Sequence, residues 1–448
     1  MKLETFKSIS LVFLIVLSLL LTLGIWNYHP DYDYDTDDRS AIEAKIEDGH
    51  VETKKSIIEP SSIIFHQGEN HYGFAQKSKE EELYSYMQTW SLYDINTTPI
   101  DEDTDFSTET NSVEVIFPTE IPVEILQDIF TVDEEIITGR AFDRMLVMLN
   151  EDLTIGQLVF SHKKTDMKFS ANIQNMDEVR QQINSFKNQS TLQEFLSFGA
   201  GDSSPIYVPR EVEMYRRPLT AKSISKTTLR NVLFNNPSAV RSSELITGED
   251  KYTDGQTAEM VVYDDYYMEY TNPTSSENRL MDGRQLINQT LEFVNDHEGW
   301  TTDVKDEYVL YGLDVQSKTA LFRLTYDGIP VFERDSLSTI MVTLRNQNVY
   351  QYNRPLIQLG LTFEYESEKE NLQTGQQVIT FLQNSRRYAT TSIEDVAIGY
   401  KIEEQSAIQY AFVLTPKWFI NVNNNWEEID FIDEQISIGG VNNAMGSN

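Results

Sequence analysis

The residues of this chain best placed to do chemistry are His66, Glu69 and His71. Two imidazoles and a carboxylate are a zinc-compatible set. In a β-hairpin turning at Gly68-Glu69-Asn70 the two histidines would face each other across the strands. No spacing fixes a third or fourth ligand elsewhere, and polar residues collect at turns, so the set reads as a solvated turn and no metal is assigned. Asp31, Asp33 and Asp35 in DYDYDTDD alternate like positions 1, 3 and 5 of a calcium loop. That loop needs Gly at position 6 and a bidentate Glu at position 12. Thr36 and Ile42 stand there instead, so the run reads as a solvated spacer.

Covalent catalysis has no seat in the motifs. There is no G-x-S-x-G, no H-E-x-x-H and no cysteine, and only six histidines in 448 residues. Carboxylate groups such as Asp264-Asp265 and Glu80-Glu81-Glu82 are too common in so acidic a chain to nominate a general acid and base. Gly199-Ala200-Gly201 is not followed by the Lys-Ser/Thr of a phosphate loop. The expectation is a non-enzyme with no catalytic residue, metal or cofactor.

The elements that would position these residues read as α+β. PSSIIFHQG and NHYGFAQ form the hairpin. A helix follows with Ser78 as N-cap, Glu81 at the capping-box position, and Leu83, Tyr86, Met87 and Trp90 on one face. VEVIFP is a strand and a helix opens near Pro122. RAFDRMLVMLNE, LTIGQLVFSHKK and MKFSANI are strands of one antiparallel sheet, and MDEVRQQINSFKN is a helix. The Gly199–Pro205 cluster marks a boundary. Beyond it, KTTLRNVLF is a helix after Ser225 and AEMVVYDDYYMEYTN one alternating strand. The last third carries a repeat: Gly283-Arg284-Gln285-Leu286-Ile287 and Gly375-Gln376-Gln377-Val378-Ile379 each open a helix followed by strands, STIMVTLRNQNVYQYN among them.

Location is written at the N-terminus. From Ser8 to Pro30 the chain runs 23 residues without Asp, Glu, Lys or Arg, and 13 of those from Ile9 to Ile25 are Leu, Ile, Val or Phe. At about 1.5 Å per residue such a helix spans a hydrocarbon core of about 30 Å. Lys2 and Lys7 before it and the aspartates after it keep the N-terminus cytoplasmic, with Trp26 and Tyr28 as interfacial anchors. No small-x-small cleavage site follows, so a retained single-pass anchor in the cell membrane is expected, with the C-terminal bulk extracytoplasmic. Ser10, Leu14, Ser18 and Thr22 recur along one helix face, and Ser18 with Thr22 is a small-x-x-x-small pair suited to packing against another helix. The formal charge of −35 argues against nucleic-acid binding. The expected division is a tail (1–7), a membrane helix (8–28), an acidic linker (29–55), an α+β domain (56–204), a small central α+β domain (205–278), a C-terminal α+β domain (279–440) and a tail (441–448).

The helix ending in W-x-Y-x-P-x-Y, the segment LMDGRQLINQTLEFVNDHEGW and the stretch LTPKWFINVNNNW resemble the YycH family over essentially the whole chain. These are regulatory proteins of the WalK/WalR (YycG/YycF) two-component system of low-GC Gram-positive bacteria. The resemblance implies a single-pass membrane protein with a three-domain exported part and a C-terminal domain similar to that of the companion YycI. It implies contacts with a WalK-type sensor histidine kinase and a YycI-type protein, made largely by the membrane helix, and cell-wall homeostasis as the regulated process. It supplies no catalytic residues. The alternative is an exported cell-wall-binding adaptor whose helix is only a tether.

Overall fold

Period-2 apolar spacing between residues 62 and 209 produces strands, as burial of one sheet face requires. The computed structural model describes residues 45–431 apart from 97–110, 134–135, 137–138, 150–155, 164, 200–203, 274–279, 334–335, 364–367, 386, 389–392 and 406–407. Among the described residues ten strands form an N-terminal sheet. They are β1 (Ser62–Gln67), β2 (Asn70–Phe74), β3 (Ser91–Asn96), β4 (Ser112–Pro122), β5 (Thr131–Val132), β6 (Ala141–Met148), β7 (Gly156–His162), β8 (Thr165–Ile173), β9 (Leu192–Phe198) and β10 (Ile206–Pro209). Their order is β10-β9-β2-β1-β4-β6-β7-β8-β3-β5, with β3 and β5 parallel. In the middle of the sheet Ile63 pairs with Val115 and Val115 with Met145, while Phe65 pairs with Val113 and Val113 with Val147. These residues are buried in the main core. One step out of phase, His66, Glu114 and Arg144 share the opposite face.

The helix expected from Ser78 begins earlier, at Lys77–Met87, with Gln76 as N-cap and no side-chain cap bond. Lys77 is drawn into its first turn because its ammonium donates to Glu80 Oε1 at 2.6 Å and to the Ser61 carbonyl. The helix after Ser225 spans Lys226–Leu233, with the Ser225 side chain accepting from Thr228 N.

Among the described residues the C-terminal sheet has fourteen strands, most of them in two runs. The first passes from Arg241–Glu244 to Thr319–Tyr326, and the second comprises Ile393–Glu404, Ala411–Val422, Arg217–Ser223 and Ile357–Thr362. Ile329–Phe332 joins them, antiparallel to Thr319–Tyr326 and parallel to Ile393–Glu404. Two stretches expected as single strands fold back as hairpins. Asp264 and Asp265 turn at φ of +49° and +63°, and Asn346 and Gln347 at +53° and +64°. Two consecutive left-handed residues match the strand twist, and Asp and Asn tolerate that conformation best after glycine.

Residues 205–278, expected as a small central domain, distribute their strands among three sheets. β10 closes an edge of the N-terminal sheet, Met214–Tyr215 pairs with Lys369–Glu370, and the rest join the C-terminal sheet. Met260, Val262 and Tyr270 are buried in the same core as Leu344 and Tyr352, because Tyr267–Thr271 pairs with Asn348–Pro355.

Both helices of the expected repeat are present, Gly283–Asp296 and Gly375–Asn384. Each opens on a complete capping box, Asp282 with Gln285 and Thr374 with Gln377. Their glycines mark close contacts with the N-terminal sheet. A Cβ on Gly283 would lie 2.4 Å from Pro122 Cγ, and one on Gly375 2.2 Å from the Pro209 carbonyl oxygen. A smaller core seals this junction, with Phe198, Ile206 and Val208 against Val378, Leu382, Trp418 and Ile420.

Candidate functional site

The pairing of β1 with β2 sets His66 opposite His71, and their Nδ1 atoms are 2.9 Å apart. The expected opposition of the two rings is met, but the turn around them is not simply solvated. His66 is fully buried and the carboxylate that serves it is Glu114 of β4, 3.0 Å from His66 Nε2. Glu69 lies exposed at the tip. Arg144 of β6 donates to Glu114 Oε1 at 2.7 Å and to the Pro205 carbonyl at 2.7 Å. Burial alone would push the Glu114 carboxyl up, but Arg144 and the His66 hydrogen bond outweigh it and hold it at about 2. An ionised carboxylate only accepts, so His66 donates from Nε2, and a single hydrogen bond joins the two Nδ1 atoms. Burial, then His66, lower the His71 pKa, with Glu114 partly offsetting them. The Tyr207 ring packs on both imidazoles at 5.5 and 4.9 Å between centroids. This Glu–His–His chain resembles a catalytic relay in form. Among the described residues no serine or threonine hydroxyl hydrogen-bonds His71.

Arg144 and Tyr207 also form part of the wall of a cavity of about 360 Å³ between the two sheets. Its N-terminal wall includes Phe74, Phe117, Asp143 and Phe195, with Lys77, Glu80, Glu81 and Tyr84 from the helix. The C-terminal wall includes Val309, Tyr311, the Gly328–Pro330 turn and Glu394–Ile398. Eight carboxyl groups line it (Glu59, Glu80, Glu81, Asp143, Glu211, Glu213, Glu394 and Asp395) against Lys77, Arg144 and Lys163. Burial, with Glu307 and Glu81 nearby, pushes Glu59 up to about 8. Burial likewise raises Asp143 and Asp395, against the pull of Lys163 and Arg144.

The other acidic candidates separate. Glu80 is buried on Lys77, Glu81 is half-buried at the cavity, and Glu82 is exposed and pairs with Lys79. Asp264 and Asp265 form a turn, with Asp265 2.7 Å from Lys226. Among the described residues no group of three or more His, Asp or Glu is arranged to hold a metal. Asp143, Arg144 and Asp395 were not singled out by sequence. The available signal was the charged pair Asp143-Arg144 inside an otherwise apolar strand. Ser10, Leu14, Ser18, Thr22, Lys2, Lys7, Trp26, Tyr28 and the DYDYDTDD run lie outside the described residues. Among those described, no helix is long and apolar enough to cross a membrane.

Two family profiles match the chain, "YycH protein, N-terminal domain" over residues 4–190 and "YycH protein, C-terminal domain" over 203–435. The chain is 24% identical over 444 residues to the "Two-component system WalR/WalK regulatory protein YycH" of Bacillus subtilis (strain 168), covering 94% of this chain and 95% of that protein. The crystal structure of YycH from Bacillus subtilis superposes with a TM-score of 0.66 at 19% identity, over 85% of this chain and 99% of that one. That likeness establishes the shared α+β fold.

Proposed function

This chain belongs to the YycH family, and on that premise we propose that it is a membrane-anchored, non-enzymatic regulator of a WalK-type sensor histidine kinase. The observation that carries the proposal is the extent of the family match. It begins at residue 4, ahead of the uncharged run, and continues to residue 435. The run is thus part of what the N-terminal profile matches.

In this reading the helix 8–28 crosses the cell membrane with its N-terminus in the cytoplasm. Its Ser10, Leu14, Ser18 and Thr22 face packs beside the kinase helices, together with that of a YycI-type companion whose fold the C-terminal domain shares. Interhelical hydroxyl hydrogen bonds are worth roughly 0.6 kcal/mol each, so the contact biases an equilibrium and does not lock it. Whatever binds one arrangement of the complex better shifts the kinase by that difference in affinity alone.

The test is a double substitution, Ser18→Leu with Thr22→Leu, in a membrane two-hybrid assay against the kinase. Association is expected to fall while insertion is retained, and undiminished association would exclude that face. A second reading, a cell-wall adaptor tethered by its helix, draws on the cavity between the sheets. Exchanging residues 8–28 for an unrelated membrane helix separates the two: regulation is lost if the helix makes the contacts and kept if it is a tether.

A further inference from the structure

We propose that the cavity between the two sheets binds a small organic ammonium ion, a primary amine carried on an apolar or aromatic body. The inference stands on the exported residues and does not depend on the membrane-helix reading. The charge balance comes first. Among the described residues eight carboxyl groups line the cavity against three cations, and with Glu59 holding its proton near neutral pH seven carboxylates remain against Lys77, Arg144 and Lys163. Two of those cations are already engaged, Arg144 by Glu114 and the Pro205 carbonyl, Lys77 by Glu80. An anion entering here would meet a surplus of negative charge, and the low-dielectric walls would amplify the repulsion.

A separate observation shows where a donor is missing. Asp143 is 3% exposed, and its Oδ1 accepts from Lys163 N at 3.0 Å. Its Oδ2 is buried with no hydrogen-bond partner in the described structure. A buried acceptor left without a donor is costly, and a ligand N–H placed there removes that cost. Asp395, on the strand Ile393–Glu404 of the other sheet, lies close enough for Lys163, Arg144 and Asp143 all to act on it electrostatically. One ammonium group has three donors and can serve carboxylates from both sheets.

The remaining wall selects the body of the ligand. Phe74, Tyr84, Phe117, Phe195, Tyr207 and Tyr311 contribute aromatic surface, which favours a cation over a neutral group of the same shape. The volume of about 360 Å³ lies at the small end of ligand sites. A bare metal ion fits less well, since no group of three or more ligands is assembled among the described residues and much of the wall is apolar.

Benzylamine, benzyl alcohol and benzoate share one body and differ in charge. Each is titrated calorimetrically into the full-length chain in detergent, and into Asp143→Asn, Asp395→Asn and Glu69→Gln, the last an exposed control. Folding of each variant is checked by circular dichroism. Benzylamine is expected to bind at least about tenfold more tightly than benzyl alcohol, with no benzoate binding. Asp143→Asn should weaken benzylamine by about tenfold or more, while Glu69→Gln leaves it unchanged. Should Asp143→Asn not fold, Asp395→Asn carries the same expectation. No benzylamine binding, equal affinity for all three probes, preference for benzoate, or unchanged affinity in the cavity variant that folds would overturn the proposal.

Discussion

His50 and Trp300 pair backbone to backbone in an isolated antiparallel bridge, His50 N donating to the Trp300 carbonyl at 3.0 Å. Around it Ile46 N donates to the His297 carbonyl, and Asn295 accepts from Glu52 N while its amide donates back to the Glu52 carbonyl. The first described segment is therefore fastened to the C-terminal half of the protein before the chain enters β1.

Asn295 is the residue on which that fastening turns. Its Oδ1 also accepts from Trp300 Nε1 at 2.7 Å. Asn295→Ala leaves the buried Trp300 indole without a partner, at about 1–3 kcal/mol, and the partly buried Glu52 amide with it. Thermal denaturation should fall by several degrees, and limited proteolysis should cut first within residues 45–58. Cleavage at the wild-type rate would mean that the segment is held by other contacts.

The Glu114–Arg144 pair predicts an asymmetry between single and double replacement. Arg144→Met strands a buried carboxylate and should cost about 3–5 kcal/mol, whereas adding Glu114→Leu should recover much of that loss. The pH dependence has a definite sign. A carboxyl held at about 2 in the fold contributes stability that is complete above the ordinary range near 4.5 and is lost as pH falls from there toward 2. Urea titrations across that window should show a flatter pH dependence for Arg144→Met than for wild type.

Glu59 acts in the opposite direction. Its carboxyl, raised to about 8 by burial and by Glu307, Glu81 and Glu52 against the pull of Lys77, keeps its proton in the fold where the unfolded chain has released it. Stability from this group is therefore highest below about 4.5 and declines as pH rises to about 8. Glu59→Gln should match wild type near pH 4.5 and exceed it by on the order of 1 kcal/mol or more at pH 8. Equal melting temperatures at both pH values would sink the assignment.

The two repeat glycines set helix propensity against packing. Alanine is favoured over glycine in a helix by about 1 kcal/mol, so local preference alone predicts that Gly375→Ala stabilises. The Pro209 carbonyl, 2.2 Å from the added Cβ, is backbone and cannot swing away. A net loss of about 1–3 kcal/mol is expected from overpacking. Gly283→Ala, opposed by a proline ring carbon, should cost less. Chemical denaturation of the two variants measures both.

Local physics made much of this protein legible in sequence. The β1–β2 hairpin, the helix after Ser225 and the starts at Gly283 and Gly375 follow from alternation, caps and turn residues, all properties of a few neighbouring positions. The opposition of His66 and His71 follows from one short turn. Their carboxylate did not, because Glu114 reaches them from β4, forty-eight residues along the chain from His66. The same holds for Asp143 and Asp395, which line one cavity only because strands of both sheets border it. The glycines of the repeat were visible as a pattern, yet their reason lies in Pro122 and Pro209 of the other sheet. Sequence alone determined local structure, the uncharged N-terminal run and the family resemblance, since these depend on adjacent residues or on their order. Strand partners distant in sequence, the charge surplus of the cavity and the anchoring of residues 45–58 on Trp300 were decided by tertiary packing, because burial and long-range pairing exist only once the chain has closed on itself.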